Sequence, residues 1–184
     1  MVRRAVWHSM GASVSAVEPE AGFEQVVLPH LDAAYNLARW LAGNDHDAED
    51  IAQDACVRAW RFHGGYRGGN SRAWLLAIVR NTAYTWLKKN RPQRIVPLDD
   101  EELAEFEDVS SAEAGIQNAD VAILRAAVEE LPLEFREALV LRELEGLSYK
   151  EIADVAEVPL GTVMSRLARA RRQLQSIFHR KGHP

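Results

Sequence analysis

The stretch GLSYKEIADVAEVPLGTVMSRLARARRQL, from Gly146 to Leu174, admits few folds. Ser148 stands three residues ahead of Glu151, the pattern of a capping box that satisfies two orphan N–H groups at a helix start. Ile152, Ala153 and Ala156 then recur at helical spacing. Glu157-Val158-Pro159 interrupts the period, because proline lacks the N–H that a continuing helix needs. Thr162 lies near the start of a second, longer period. Short helix, tight turn, longer helix is the helix-turn-helix plan, whose second helix enters the major groove of DNA.

The second helix turns by about 100° per residue. Leu160, Val163, Leu167, Ala170 and Leu174 then share one stripe, which is expected to pack inward. Gly161, Ser165, Ala168, Arg169 and Arg172 face the other way, with Thr162, Arg166 and Arg171 on the flanks. Small residues let a helix approach the groove floor, and Arg pairs with guanine edges or phosphates. A merely solvated helix also carries arginines. What favours nucleic acid is that Val158 to Pro184 holds six Lys or Arg and no acid.

That basic end belongs to a chain of formal net charge −5, because the charges are segregated. Asn44 to Asp54 holds five acids and no base, and Ala55 to Leu98 nine bases and no acid. Ile95 to Leu124 holds nine acids and no base. Two basic blocks divided by an acidic strap point to two polyanion-facing surfaces. The strap is expected to compete with DNA for both.

Helical periodicity runs through the rest, and strand alternation is hardly visible. Val27, Leu31, Ala34, Leu37, Ala38 and Leu41 predict one amphipathic helix over Phe23 to Leu41. Asp45 or Asp47 is placed to cap the next, from about Ala48 to Phe62, and Ser71 to cap a third that ends near Asn90 before Pro92. Residues 95–120 are acidic and short of large apolar side chains, which reads as a flexible linker. Helical patterning resumes at Val121, breaks at Leu131-Pro132, and turns at Gly146. The fold class is all-α, with two helical modules at 22–94 and 121–179, a disordered extension at 1–21 and a tail at 180–184.

In the first module six aromatics, Trp60, Phe62, Tyr66, Trp74, Tyr84 and Trp86, share the acid-free block with the nine bases. Single-stranded nucleic acid wants this mixture, because bases stack on rings and phosphates pair with cations. Trp60 and Trp74 are assigned mainly to core, and Tyr84 and Trp86 are left open. The glycines of the loop from Tyr66 to Ser71 let backbone come close to a ligand, and a flipped base is a plausible guest. The helix before the loop carries Asp47, Glu49, Asp50, Gln53 and Asp54, which repel DNA and suggest a protein-docking surface, although a solvated face would look the same.

The one cysteine, Cys56, fits a reducing compartment and is read as packing. No nucleophile–base pair, and no Cys/His cluster at metal-ligand spacing, is recognisable, so no enzyme activity, metal or cofactor is expected. No apolar run approaches the ~18 residues of a membrane span, and the start lacks a signal-type apolar run. A cytoplasmic protein without membrane insertion is expected.

Three ordered segments, DAEDIAQDACVRAWR, YRGGNSRAWLLAIVRNTAYTWLKK and LPLEFREALVLRELEGLSYKEIADVAEVPLGTVMSRLARARRQL, resemble a bacterial sigma factor of the extracytoplasmic-function type. The resemblance spans about Phe23 to Phe178. It implies that the first module is sigma region 2, with Asp47, Glu49, Asp50, Gln53, Asp54 and Arg58 docking on the clamp helices of the polymerase β′ subunit. Tyr66, Arg67, Asn70, Ser71, Arg72 and Trp74 would open the minus-ten element and hold a flipped base, with Arg80, Asn81, Tyr84, Lys88 and Lys89 contacting the DNA around it. The second module would be sigma region 4, seated on the β-flap. It would read the minus-thirty-five element through Thr162, Ser165, Arg166, Arg169, Arg171 and Arg172. The implied partners are core RNA polymerase, promoter DNA as duplex and single strand, and an anti-sigma factor. The chain departs from the family at Met164, where a basic residue often stands, and at Ala168, where an aromatic sometimes does. Its YRGGNSRAW loop is one of the shorter variants.

Two other readings compete. A stand-alone helix-turn-helix regulator leaves the aromatic-basic block and the acidic helix unexplained. A sigma-like mimic that only titrates an anti-sigma factor needs no basic recognition face, and this chain has one.

Overall fold

The structure, a computed structural model, describes residues 22–95 and 118–180. The strap, the N-terminal extension and the last four residues lie outside the described residues, and with them the expected competition by the strap. Among the described residues every regular element is helical.

Phe23–Val27 (α1) and Leu31–Ala42 (α2) replace the single helix expected there. Between them Leu28–His30 tightens into a 3-10 turn with Pro29 at its start. A proline in a helix interior removes a hydrogen bond and clashes with the preceding turn, so the axis breaks at Pro29. Gly43 ends α2 in a left-handed conformation, φ 80°, with its N–H on Arg39 O.

Asp45–Phe62 (α3) begins earlier than expected and is capped by Asn44, whose Oδ1 accepts from Asp47 N at 2.9 Å. Ser71–Asn90 (α4) is capped by Asn70, not Ser71, through Ala73 N at 3.1 Å. In both places an asparagine one step upstream takes the cap because its side-chain oxygen reaches the N3 amide. Ala48, Ile51, Ala55 and Ala59 on α3 pack against Leu75, Leu76, Val79, Ala83 and Leu87 on α4 and Leu37 and Leu41 on α2. Trp60 falls one residue off that stripe and is 66% exposed, with its ring edge-on to Phe23 at 4.9 Å. The core role expected for it is therefore incorrect. Trp74 is buried as expected.

The second module contains Asn118–Glu130 (α5), Leu133–Leu139 (α6), Tyr149–Ala156 (α7) and Leu160–Arg180 (α8). A π-turn at Val140–Leu144 prolongs α6 before Gly146 turns the chain at φ 65°. Both halves of the capping box are formed: Ser148 Oγ accepts from Glu151 N at 3.3 Å, and Glu151 Oε2 accepts from Ser148 N at 2.8 Å. Val163, Leu167 and Ala170 are buried as the projection requires. Leu160, at the first position of α8, is 49% exposed, where the projection expected it to pack inward.

The modules are not held apart. Leu133, Val140, Leu141, Leu147, Ile152 and Val155 join the core cluster of the first module. Helix α6 lies on α2, and α7 on α4. Arg136 pins the seam: buried, it donates to the carbonyls of Val128, Glu129 and Leu131 at the end of α5 and to Trp40 O on α2 at 3.1 Å. Helix C-termini leave carbonyls unpaired, and a guanidinium with five donors suits them.

Candidate nucleic-acid interface

Helix α4 and the loop before it gather the expected minus-ten residues. Gly68 and Gly69 take φ 84° and 95°, values costly for residues with a Cβ. The loop they form is closed by Tyr66, whose hydroxyl donates to Gly69 O at 2.8 Å. Burial pushes the Tyr66 phenol up, against a hydrogen bond with Ser71. Arg67 donates to Gly64 O at 3.3 Å. Trp74 lies under Tyr66 with ring centroids 5.2 Å apart. Its ring is buried, so it floors the loop instead of offering a face for stacking. Ser71 Oγ lies 2.9 Å from His30 Nε2. Burial, and then the Arg72 charge, hold His30 below the usual imidazole range.

From that loop the face of α4 continues through Arg72, Arg80, Asn81 and Tyr84 to Lys88 and Lys89, which are exposed at the C-terminal end. Cations there also suit the helix dipole. The middle of the face meets acids of the second module. Arg72 pairs with Glu145 and Asn70 with Glu151. Arg80 Nε donates to Glu137 Oε1 at 2.7 Å, Tyr84 OH to Glu137 Oε2 at 2.8 Å, and Asn81 to Glu157 Oε1 at 3.3 Å. Burial and Glu137 together push the Tyr84 phenol far above its ordinary range, so it is a donor at any accessible pH. Burial disfavours the Arg80 charge, but Glu137 more than restores it and its pKa lies above the usual value.

Sequence reasoning missed these glutamates. The signal was present: Leu133, Glu137, Leu141 and Glu145 stand on one four-residue row of a helix. A carboxylate on an apolar row has to find a cation when it is buried.

On α8 Arg172 is exposed, and Thr162, Ser165, Arg166, Arg169 and Arg171 are half-buried. Ser165 Oγ donates back to Thr162 O at 3.0 Å. Arg171 is engaged with Glu143 at 3.0 Å, so its side chain braces the π-turn against α8. The helix packs on α5, α6 and α7.

The acidic face of α3 divides. Glu49, Asp50, Gln53 and Asp54 are exposed, and Arg58 pairs with Asp54 at 2.9 Å. Asp47 is buried, held by Asn44 and by Arg91 Nη2 at 2.7 Å. It ties the start of α3 to the end of α4, and its burial leaves the exposed part of that face to Glu49, Asp50, Gln53 and Asp54. Cys56 is half-buried, and burial pushes its thiol up, away from the reactive thiolate. Among the described residues no three His, Cys, Asp or Glu side chains are grouped to hold a metal ion, and no helix is long and apolar enough to cross a membrane.

Comparison with known proteins gives the same two modules. The family model for Sigma-70 region 2 matches residues 26–93, and that for Sigma-70 region 4 matches residues 122–174. The chain is 38% identical over 157 residues to the ECF RNA polymerase sigma factor SigE of Mycolicibacterium smegmatis, covering 85% of this chain and 61% of that protein. It is 34% identical over 165 residues to the RNA polymerase sigma-H factor of Pseudomonas aeruginosa, covering 85% and 86%. Among solved structures, the sigma factor RpoE in complex with the anti-sigma factor NepR from Bartonella quintana matches with a TM-score of 0.68 and 30% identity, covering 85% and 96%. An exposed acidic helix face, a glycine loop with aromatic and basic neighbours and a helix-turn-helix thus follow one another in a chain that belongs to the sigma-70 family, among its extracytoplasmic-function sigma factors.

Proposed function

We propose that the chain is an alternative sigma factor. It binds core RNA polymerase, recognises minus-thirty-five and minus-ten promoter elements, melts the DNA and starts transcription in the cytoplasm under anti-sigma control. One observation carries this reading: an acidic exposed face (α3), a glycine loop with aromatic and basic neighbours (α4) and a helix-turn-helix with a cationic face (α7–α8) occur together, in that order. Each alone has a bland explanation, but polymerase-dependent melting needs all three.

Glu49, Asp50 and Asp54 supply the polymerase contact through charge and Gln53 through its amide, with half-buried Arg58 beside Asp54 on the same helix face. Tyr66, Arg67, Asn70, Ser71 and Arg72 hold an extruded base, with Trp74 as the floor. Arg80, Asn81, Tyr84, Lys88 and Lys89 follow the strand, and Thr162, Ser165, Arg166, Arg169 and Arg172 read duplex edges and phosphates. Arg171 acts through Glu143 as a brace. No step calls for bond chemistry by this chain. Run-off transcription with core polymerase on genomic templates tests the reading. Promoter-specific transcripts should appear only when the chain is added, and their absence, with anti-sigma binding retained, would make the chain a titrating mimic.

A further inference from the structure

We propose that Met164, with Leu160 beside it, is a specificity-determining residue of α8 that reads the C5-methyl group of a thymine in the minus-thirty-five element; this rests on the duplex-reading role proposed above for α8. The first two turns of α8 carry an apolar edge open to solvent. Leu160 is 49% and Met164 45% exposed, and the two stand four residues apart on one row of the helix. Gly161 lies next to that row on the exposed side, and a Cβ there would meet nothing within 4 Å. Further steps of four carry the row from Met164 to Ala168, half-buried, and to Arg172, exposed. Two neighbouring aliphatic side chains left in water gain free energy from any apolar group that covers them.

Their surroundings say what that group belongs to. Helix α8 carries five arginines and no acid. A partner that meets the Leu160–Met164 edge also meets Arg172, so it has to bring anionic charge together with an exposed apolar group. Duplex DNA brings both: phosphates line the groove, and the thymine methyl is the apolar group that base edges offer within it. The position on the helix agrees, because the N-terminal residues of a recognition helix are the ones that reach base edges. Gly161 lets the backbone approach the groove floor, and the unbranched thioether of Met164 adapts to the shape of a methyl group. Arginine selects guanine through hydrogen bonds, whereas Met164 selects thymine through contact alone. The two kinds of readout therefore fall on different base pairs of one element.

The probe is promoter duplex recovered by the run-off assay above, in which each thymine of the minus-thirty-five element, on either strand, is replaced in turn by deoxyuridine. Deoxyuridine lacks the methyl group and keeps every hydrogen-bonding atom. Binding is measured with the full chain and with Met164→Ala, each assembled with core polymerase. At one or two thymines, uracil should weaken binding by the unaltered chain about fourfold, the worth of one methyl group removed from water. Met164→Ala should bind the thymine duplex several-fold more weakly and be indifferent to uracil at that same position. Met164→Leu, which restores an aliphatic side chain, should regain the discrimination. Met164 is exposed and alanine suits a helix, so the fold is kept in both variants. Indifference of the unaltered chain to uracil at every thymine overturns the proposal, as does an element with no thymine opposite α8. Equal discrimination by Met164→Ala also overturns it, and would give the apolar edge to a protein contact. Scrambling the whole minus-thirty-five element keeps the two readings apart. If scrambling weakens binding while uracil has no effect, duplex reading by α8 stands and the thymine contact alone is refuted. If scrambling leaves binding unchanged, duplex reading by α8 fails and the thymine contact falls with it.

Discussion

Arg80 Nε donates to Glu137 at 2.7 Å across the seam between the modules, and the two side chains are 15% and 1% exposed. A guanidinium and a carboxylate so far from water gain little over a pair of apolar side chains, but removing one strands the other. Glu137→Ala should therefore lower the unfolding free energy by about 3–5 kcal/mol. The double variant Arg80→Met/Glu137→Met should recover most of that loss, because it buries no lone charge. Denaturant titration of the three chains measures both. A double variant as unstable as the single one would show that the cost is not the stranded charge.

Two aspartates three residues apart should behave oppositely. Asp50 is exposed on α3, so Asp50→Arg should abolish co-purification with core polymerase and leave the melting temperature within a degree or two of the starting chain. Asp47 is buried between Asn44 and Arg91, so Asp47→Ala should cost about 1–3 kcal/mol of stability through the unpaired groups it leaves. Co-purification and thermal melting of both variants separate the roles. Normal polymerase binding by Asp50→Arg would remove α3 from the docking surface.

The arginines of α8 divide in the same way. Arg169→Ala should weaken duplex binding at the minus-thirty-five element by about 1–3 kcal/mol per lost base contact and relax preference at that position. Arg171 is committed to Glu143, so Arg171→Ala should loosen the π-turn and lower stability while leaving sequence preference in place. Binding-site selection with each variant tests this, and a changed preference in the Arg171 variant would put that residue in the groove.

Much of this was legible beforehand, for definite physical reasons. The capping box at Ser148 and Glu151 is local chemistry between residues three apart, and it formed as the spacing requires. The buried positions Val163, Leu167 and Ala170 followed from a single helical period. What escaped was non-local. Glu137 and Arg80 stand 57 positions apart, and no periodicity relates them. Segregated charge drew attention to the strap, which lies outside the described residues, and away from Glu137 and Glu145, two glutamates on an apolar row that meet α4. Trp60 misled for a simpler reason: its size argued for the core, and its angle on α3, one residue past Ala59, puts it outside.

Acid should act on the helix-turn-helix at a defined place. The hydroxyl of Ser148, then its backbone N–H, then Asn70, hold the Glu151 carboxyl below its ordinary value of 4.5. A group with a depressed folded pKa adds stability that is present above its unfolded value and is lost as pH falls through the folded one. The contribution should therefore be complete at neutral pH and disappear below about pH 4.5. Ser148→Ala should cost about 1 kcal/mol at neutral pH, the usual worth of an N-cap. It should also shrink the loss of stability between neutral and acid conditions. Thermal melts across that range report both, and parallel pH profiles for the two chains would dissociate the cap from the titration.

Glu157 offers the sharpest combined test. It closes α7 in a left-handed conformation, φ 56°, ψ 44°, with its N–H on Ala153 O, and it is the non-glycine residue with positive φ among those described. Such a conformation costs an L-residue about 1–2 kcal/mol and costs glycine little. On backbone grounds Glu157→Gly should raise the melting temperature. The same change removes the carboxylate that accepts from Asn81, an exposed hydrogen bond worth less than the strain relieved. Stability and single-strand binding should therefore increase together, although most stabilising changes tighten a closed state. Glu157→Gln separates the two effects, because it keeps the strain and loses only the charge. If Glu157→Gly stabilises without altering single-strand binding, the side chain is a helix cap and nothing more. If both quantities rise, the chain carries its strain at the point where its DNA face is covered.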